Sequence, residues 1–159
     1  MIHEHPAFLF DLDGTLVDSV YQHVLAWREA LEETGISLSV WRIHRRIGMS
    51  GGLLVNALLH ETGHQLSQEE VTRVHARHAV AYRRYFPQVR VLPGARELLA
   101  ALTEARVPWA IATSGFIESA RPALNLLGVP ENAAVVTRDQ VAHPRPDPDL
   151  FRAAAERLG

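Results

Sequence analysis

The chain has 159 residues, enough for one ordinary domain or one core with a small insert, and too few for two full domains. Apolar residues make up 47% and charged residues 21%, a globular balance, and a net charge of -2 gives no field that would draw in nucleic acid or an anionic membrane. With no cysteine and no lysine among its sixteen basic residues, the chain can build neither disulfides, thiolate metal sites nor a lysine Schiff base.

In chain order, Ala7 to Phe10 predicts a short buried strand that breaks into a tight loop at Asp11-Leu12-Asp13-Gly14-Thr15. From Ser19 to about Thr34 the apolar residues Val20, Val24, Leu25, Trp27 and Leu31 recur at helical spacing, and Gly35 supplies a stop. Helical patterns continue over Val40 to Arg46, Leu53 to Glu61 and Gln68 to Tyr85. After Val91-Leu92-Pro93-Gly94 comes a helix to about Ala105. The strand Trp109 to Ala112 then ends at Thr113-Ser114-Gly115, a helix covers Ile117 to Leu127, and a third short strand covers Ala133 to Val136.

Buried strands alternating with amphipathic helices predict an α/β fold, a doubly wound parallel sheet interrupted after its first strand by an all-helical insert. The expected boundaries are 1–17 and 89–159 for the core and 18–88 for the insert. Neither a signal pattern nor an apolar run of membrane-spanning length is present, so a cytoplasmic location is the expectation.

Asp11 and Asp13 leave the first strand two residues apart, and Gly14 permits the sharp turn that follows. Two carboxylates converging on one point need a hard cation to hold their charge together, which points to a magnesium-phosphate site. A plain polar turn is the alternative for Asp-x-Asp-Gly taken alone, as a helix cap is for Thr-Ser-Gly.

Asp11 to Thr15 and Thr113, in this order along the chain, resemble the first two motifs of the haloacid dehalogenase-like hydrolase superfamily. The helical insert is similar to the cap of its phosphoglycolate phosphatase and beta-phosphoglucomutase branch. The resemblance implies a Rossmann-like core and a magnesium-dependent phosphatase acting on a small phosphorylated metabolite, with the cap closing over the core to exclude water. It makes Asp11 the nucleophile that forms an aspartyl-phosphate. Asp13 becomes the acid and base, its carbonyl also binding Mg2+ beside Asp11. Thr113, with the amides of Ser114 and Gly115, would hold a phosphoryl oxygen.

The third motif of the family begins with lysine, and here Arg145-Pro146-Asp147-Pro148-Asp149 stands in its place, so Arg145 is the implied cation. The fourth motif, an acidic pair after a further strand, is missing. The expectation is therefore a chain truncated before its fourth core strand, with an uncovered apolar side on the first strand.

The resemblance also favours a phosphatase over a mutase, since Gly51 stands where such mutases carry an arginine for a second phosphate. His23, one helical turn from Trp27, is a candidate substrate contact, with cap packing as the alternative. Two other functions compete: a non-catalytic fragment, and a phospho-accepting signalling module, against which the long helical insert speaks.

His60-Glu61-Thr62-Gly63-His64 matches a zinc-protease pattern, but Gly63 should end the helix and turn His64 away. The pairs His3 with His5 and His75 with His78 have metal-binding spacing, and are read as terminal and helix-surface histidines. The sequence leaves monomer and dimer open.

Overall fold

The computed structural model describes residues 6–143 and 145–159, so His3 and His5 lie outside the described residues. The chain divides into two compact units, one running to Asp18 and resuming at Arg90, the other spanning Ser19–Val89.

In the first unit, β1 (Phe8–Phe10), β4 (Trp109–Ala112) and β5 (Ala134–Val136) form a parallel sheet in the order β1-β4-β5. Phe10 is in register with Ile111, and Ala112 with Val136. The segments that leave the three strands, at Asp11, Thr113 and Thr137, therefore emerge from one end of the sheet, where parallel α/β sheets place their ligands.

Small residues make this arrangement possible. Ala110 and Ala112 of β4 are fully buried and pack with Val136, Leu150 and Ala154, so α7 (Asp149–Leu158) lies directly on the sheet. The helices α5 (Ala95–Glu104) and α6 (Ile117–Leu127) complete the alternation. Among the described residues β1 pairs on one side only, and Phe8 at that edge is 43% exposed.

One pairing had no sequence signal. The two-residue strands β2 (Val17–Asp18) and β3 (Arg90–Val91) pair antiparallel, tying together the points where the chain leaves this unit and returns to it. Strands this short are invisible to a search for period-two alternation.

The second unit contains α1 (Val20–Glu32), α2 (Val40–His44), α3 (Gly51–Thr62) and α4 (Gln68–Tyr85). Val24, Trp27 and Leu31 of α1 share one core with Ile43, Leu54, Leu58 and Val74. Ser67 and Glu70 form a reciprocal capping box that starts α4. Gly63 ends α3 at a φ of 69°, a left-handed conformation that suits glycine, and Glu61 is ion-paired with Arg46.

The reading of His78 as a helix-surface residue is corrected, because α4 packs against α1 through this very residue. His78 is 9% exposed, its ring stacks on Trp27 at 3.9 Å, and its Nε2 lies 3.2 Å from His23 Nδ1. No helix among the described residues is long and apolar enough to cross a membrane.

Candidate active site

The turn after β1 is organised by Leu12, which is fully buried and whose carbonyl accepts hydrogen bonds from the amides of Thr15, Leu16 and Val17 at 3.3, 2.9 and 3.2 Å. Gly14 sits at a φ of 75° and donates to the Val17 carbonyl at 2.8 Å. The apolar anchor and the left-handed glycine together bring the chain back on itself, with Asp11 and Asp13 on either side of the buried Leu12.

Both oxygens of Asp11 are engaged. The Leu12 amide donates to Oδ1 at 2.9 Å, while Arg145 Nη1 donates to Oδ2 at 3.0 Å and Nη2 makes an ion pair with that oxygen at 2.6 Å. Burial pushes the Asp11 carboxyl above the usual carboxylate range; Arg145 and the Leu12 amide pull it down, and the negative charge of Asp13 adds to the rise.

Arg145 is held from two sides. Its guanidinium lies over the Phe151 ring at 5.8 Å, and the loop that carries it is closed by Asp149, which accepts from the backbone amide and Nδ1 of His143 at 3.2 and 3.0 Å. Arg145 Nε is buried and donates no hydrogen bond among the described residues. A planar fork with a donor to spare suits a phosphoryl oxygen arriving beside Asp11.

Thr113 is fully buried, with its amide bonded to the Val136 carbonyl at 2.9 Å. Its Oγ1 accepts from the Gly115 amide at 3.1 Å. The Gly115 amide, expected to hold a phosphoryl oxygen, is thus turned onto Thr113 instead. Accepting there leaves the Thr113 hydroxyl proton to serve as the donor. The Ser114 amide has no acceptor among the described residues.

Asp11, Asp13, Thr113, Ser114, Gly115 and Arg145 all belong to the first unit, at the carboxyl ends of its strands. His23 belongs to the helical unit, where its ring stacks on Tyr82 at 3.9 Å as part of the seam with His78. Asp149 and Phe151 stood beside Arg145 in the sequence but had no assigned role. Thr137 and Asp139, after β5, could have been found only by asking which polar residues follow the third strand.

Magnesium takes one or two protein carboxylates and fills its octahedral shell with water and phosphate oxygens. Among the described residues no group of three or more His, Asp or Glu side chains could hold a metal. A carboxylate oxygen of Asp11 and the backbone carbonyl oxygen of Asp13 are both hard donors, and such a pair fits an ion bound in this manner.

Comparison with known proteins gives the family of the chain. A family model described as a haloacid dehalogenase-like hydrolase matches residues 5–159. Hexitol phosphatase A of Escherichia coli is 33% identical over 157 residues, covering 96% of this chain and 68% of the relative. A phosphoglycolate phosphatase of Rhodospirillum rubrum is 32% identical over 160 residues, covering 96% and 66%. The crystal structure of a hydrolase from Pseudomonas syringae is 51% identical with a TM-score of 0.93, covering 96% of this chain and 70% of that one. From sequence and fold together, this chain belongs to the haloacid dehalogenase-like hydrolases.

Proposed function

We propose that this chain is a magnesium-dependent phosphatase that cleaves the phosphate ester of a small hydroxylated metabolite through an aspartyl-phosphate on Asp11. The observation that carries the reading is the grip of Arg145 on a half-buried Asp11 beside Asp13, at the ligand-binding end of a parallel sheet. The relatives named for hexitol and phosphoglycolate phosphatases support the substrate class.

In this mechanism an oxygen of Asp11 attacks phosphorus in line, and the bond from phosphorus to the ester oxygen breaks. Protonated Asp13 gives its proton to the departing alkoxide, then takes one from the water that attacks the aspartyl-phosphate, releasing phosphate and restoring Asp11. The Thr113 hydroxyl and the Ser114 amide donate to one phosphoryl oxygen, and Arg145 shifts part of its hydrogen bonding from Asp11 to another. The Asp11 carboxylate and the Asp13 backbone carbonyl would hold the magnesium ion, which when bound would neutralise negative charge on the phosphoryl group.

The test is phosphate release from p-nitrophenyl phosphate and from a panel of hexitol phosphates and phosphoglycolate, with and without magnesium. The wild-type chain should require the metal. Asp11→Asn should lose both turnover and phosphoenzyme, since an amide is a poor nucleophile toward phosphorus. Undiminished activity in that variant would remove Asp11 from its role.

A further inference from the structure

Thr113 and Ser114 are held in place by a second strand-end loop. The turn after β5 crosses to the Thr113 loop through two bonds that bracket Phe116. The Arg138 amide donates to the Gly115 carbonyl at 2.9 Å, and the Ile117 amide donates to Asp139 Oδ1 at 3.1 Å. Ile117 opens α6, and its preceding residue Phe116 offers no side-chain cap, so a carboxylate from another loop satisfies the first amide of this helix.

Asp139 is itself fixed. The fully buried Thr137 donates its hydroxyl to the same Oδ1 at 2.8 Å, and the Thr137 amide donates to Gln140 Oε1 at 3.2 Å. Arg157 of α7 donates to that Gln140 oxygen at 3.1 Å. A chain of bonds thus runs from α7 through Gln140, Thr137 and Asp139 to Ile117, while the Arg138 amide of the same turn holds the Gly115 carbonyl. Gly115 passes it on, because its amide donates to Thr113 Oγ1 and so orients the hydroxyl, whose own proton remains to be donated.

We infer that Asp139 is a positioning residue, which fixes the Thr113 loop so that the Thr113 hydroxyl and Ser114 amide meet a phosphoryl oxygen without rearrangement. This rests on the phosphatase reading above for what the loop binds, and on the hydrogen bonds alone for how the loop is held. Partial burial pushes the Asp139 carboxyl up, but the donors from Thr137 and Ile117 outweigh it and hold the group below the usual carboxylate range. The site therefore presents an ionised acceptor at neutral pH.

One oxygen accepts both bonds, so an asparagine carbonyl can take its place and an alanine cannot. Asp139→Ala should lower kcat/KM by about tenfold, the scale expected when a binding loop drifts by a fraction of an ångström, and should raise the inhibition constant of inorganic phosphate in step. Asp139→Asn should retain most of both. Thr137→Val, which removes one donor and keeps the shape, should fall between them.

Hydrogen exchange at the Ile117 amide gives a reading independent of turnover. It should accelerate in Asp139→Ala and stay slow in Asp139→Asn. Unchanged exchange in the alanine variant would overturn the clamp whatever the activity. Equal loss of phosphate affinity in the asparagine and alanine variants would overturn the positioning role, because charge and not acceptor geometry would then be at work. A wild-type chain that neither hydrolyses the phosphate panel nor binds phosphate would sink the phosphatase reading, and the exchange data would still judge the clamp.

Discussion

Arg145 reaches across 134 residues of chain to donate to Asp11 Oδ2 at 3.0 Å, joining the segment that leads into α7 to the turn that leaves β1. The contact places a permanently charged group on a carboxylate that burial raises above the usual range, and it offsets part of that rise.

The first prediction concerns that contact. Arg145→Met keeps an apolar side chain beside Phe151 but removes the charge and every donor, and kcat/KM should fall by about 10² to 10³, the loss seen when a fixed donor to a developing oxyanion is removed. Arg145→Lys should recover part of that loss, because an ammonium restores the charge without the fork. Steady-state kinetics on an aryl phosphate would check this, and wild-type rates in the methionine variant would exclude Arg145 from the reaction.

Much of the candidate site was legible because its residues sit at strand ends. Trp109 to Ala112 could be read as a strand from its apolar run, and that reading also placed Thr113 at its end. Asp11 and Asp13 were visible for the same reason. Asp139 was not, since its partners Ile117 and Thr137 are brought to it by the packing of two loops, and no periodicity encodes that. The β2 and β3 strands were too short to leave a pattern. His78 was misplaced because α4 is polar along much of its length, and a histidine among arginines and glutamates reads as surface. Only the helix that faces it decides otherwise.

Gly51 provides the second prediction. It opens α3, and a Cβ there would lie 2.7 Å from Cε1 of His75 and 3.1 Å from Cζ2 of Trp27. The glycine that the sequence reading treated as a lost arginine is thus also required by close packing between α3, α1 and α4. Gly51→Ala would ordinarily stabilise a helix; here it should lower stability by about 1 to 3 kcal/mol, because His75 must move off the edge of Trp27. Urea denaturation would measure this, and an unchanged or raised midpoint would contradict the packing argument.

The last prediction follows from the ring stack between α1 and α4. His78 is enclosed by Trp27 and His23 of α1 and by His75 and Tyr82 of its own helix. Burial is the main reason its basicity falls well below the usual histidine value of 6.5, and the neighbouring His23 and His75 lower it further. The folded state therefore binds fewer protons at this position than the unfolded chain, and stability must rise with pH in the window where only the unfolded histidine is protonated. The contribution is fully present above about 6.5 and is lost progressively as pH falls below it toward the folded value. His75, which burial also shifts down, works in the same direction. Thermal midpoints measured from pH 8 to pH 5 should thus be nearly level at first and then decline, and His78→Leu should flatten the decline by removing the group that resists protonation. A variant whose midpoint falls as steeply as that of the parent would show that acid acts elsewhere in the chain.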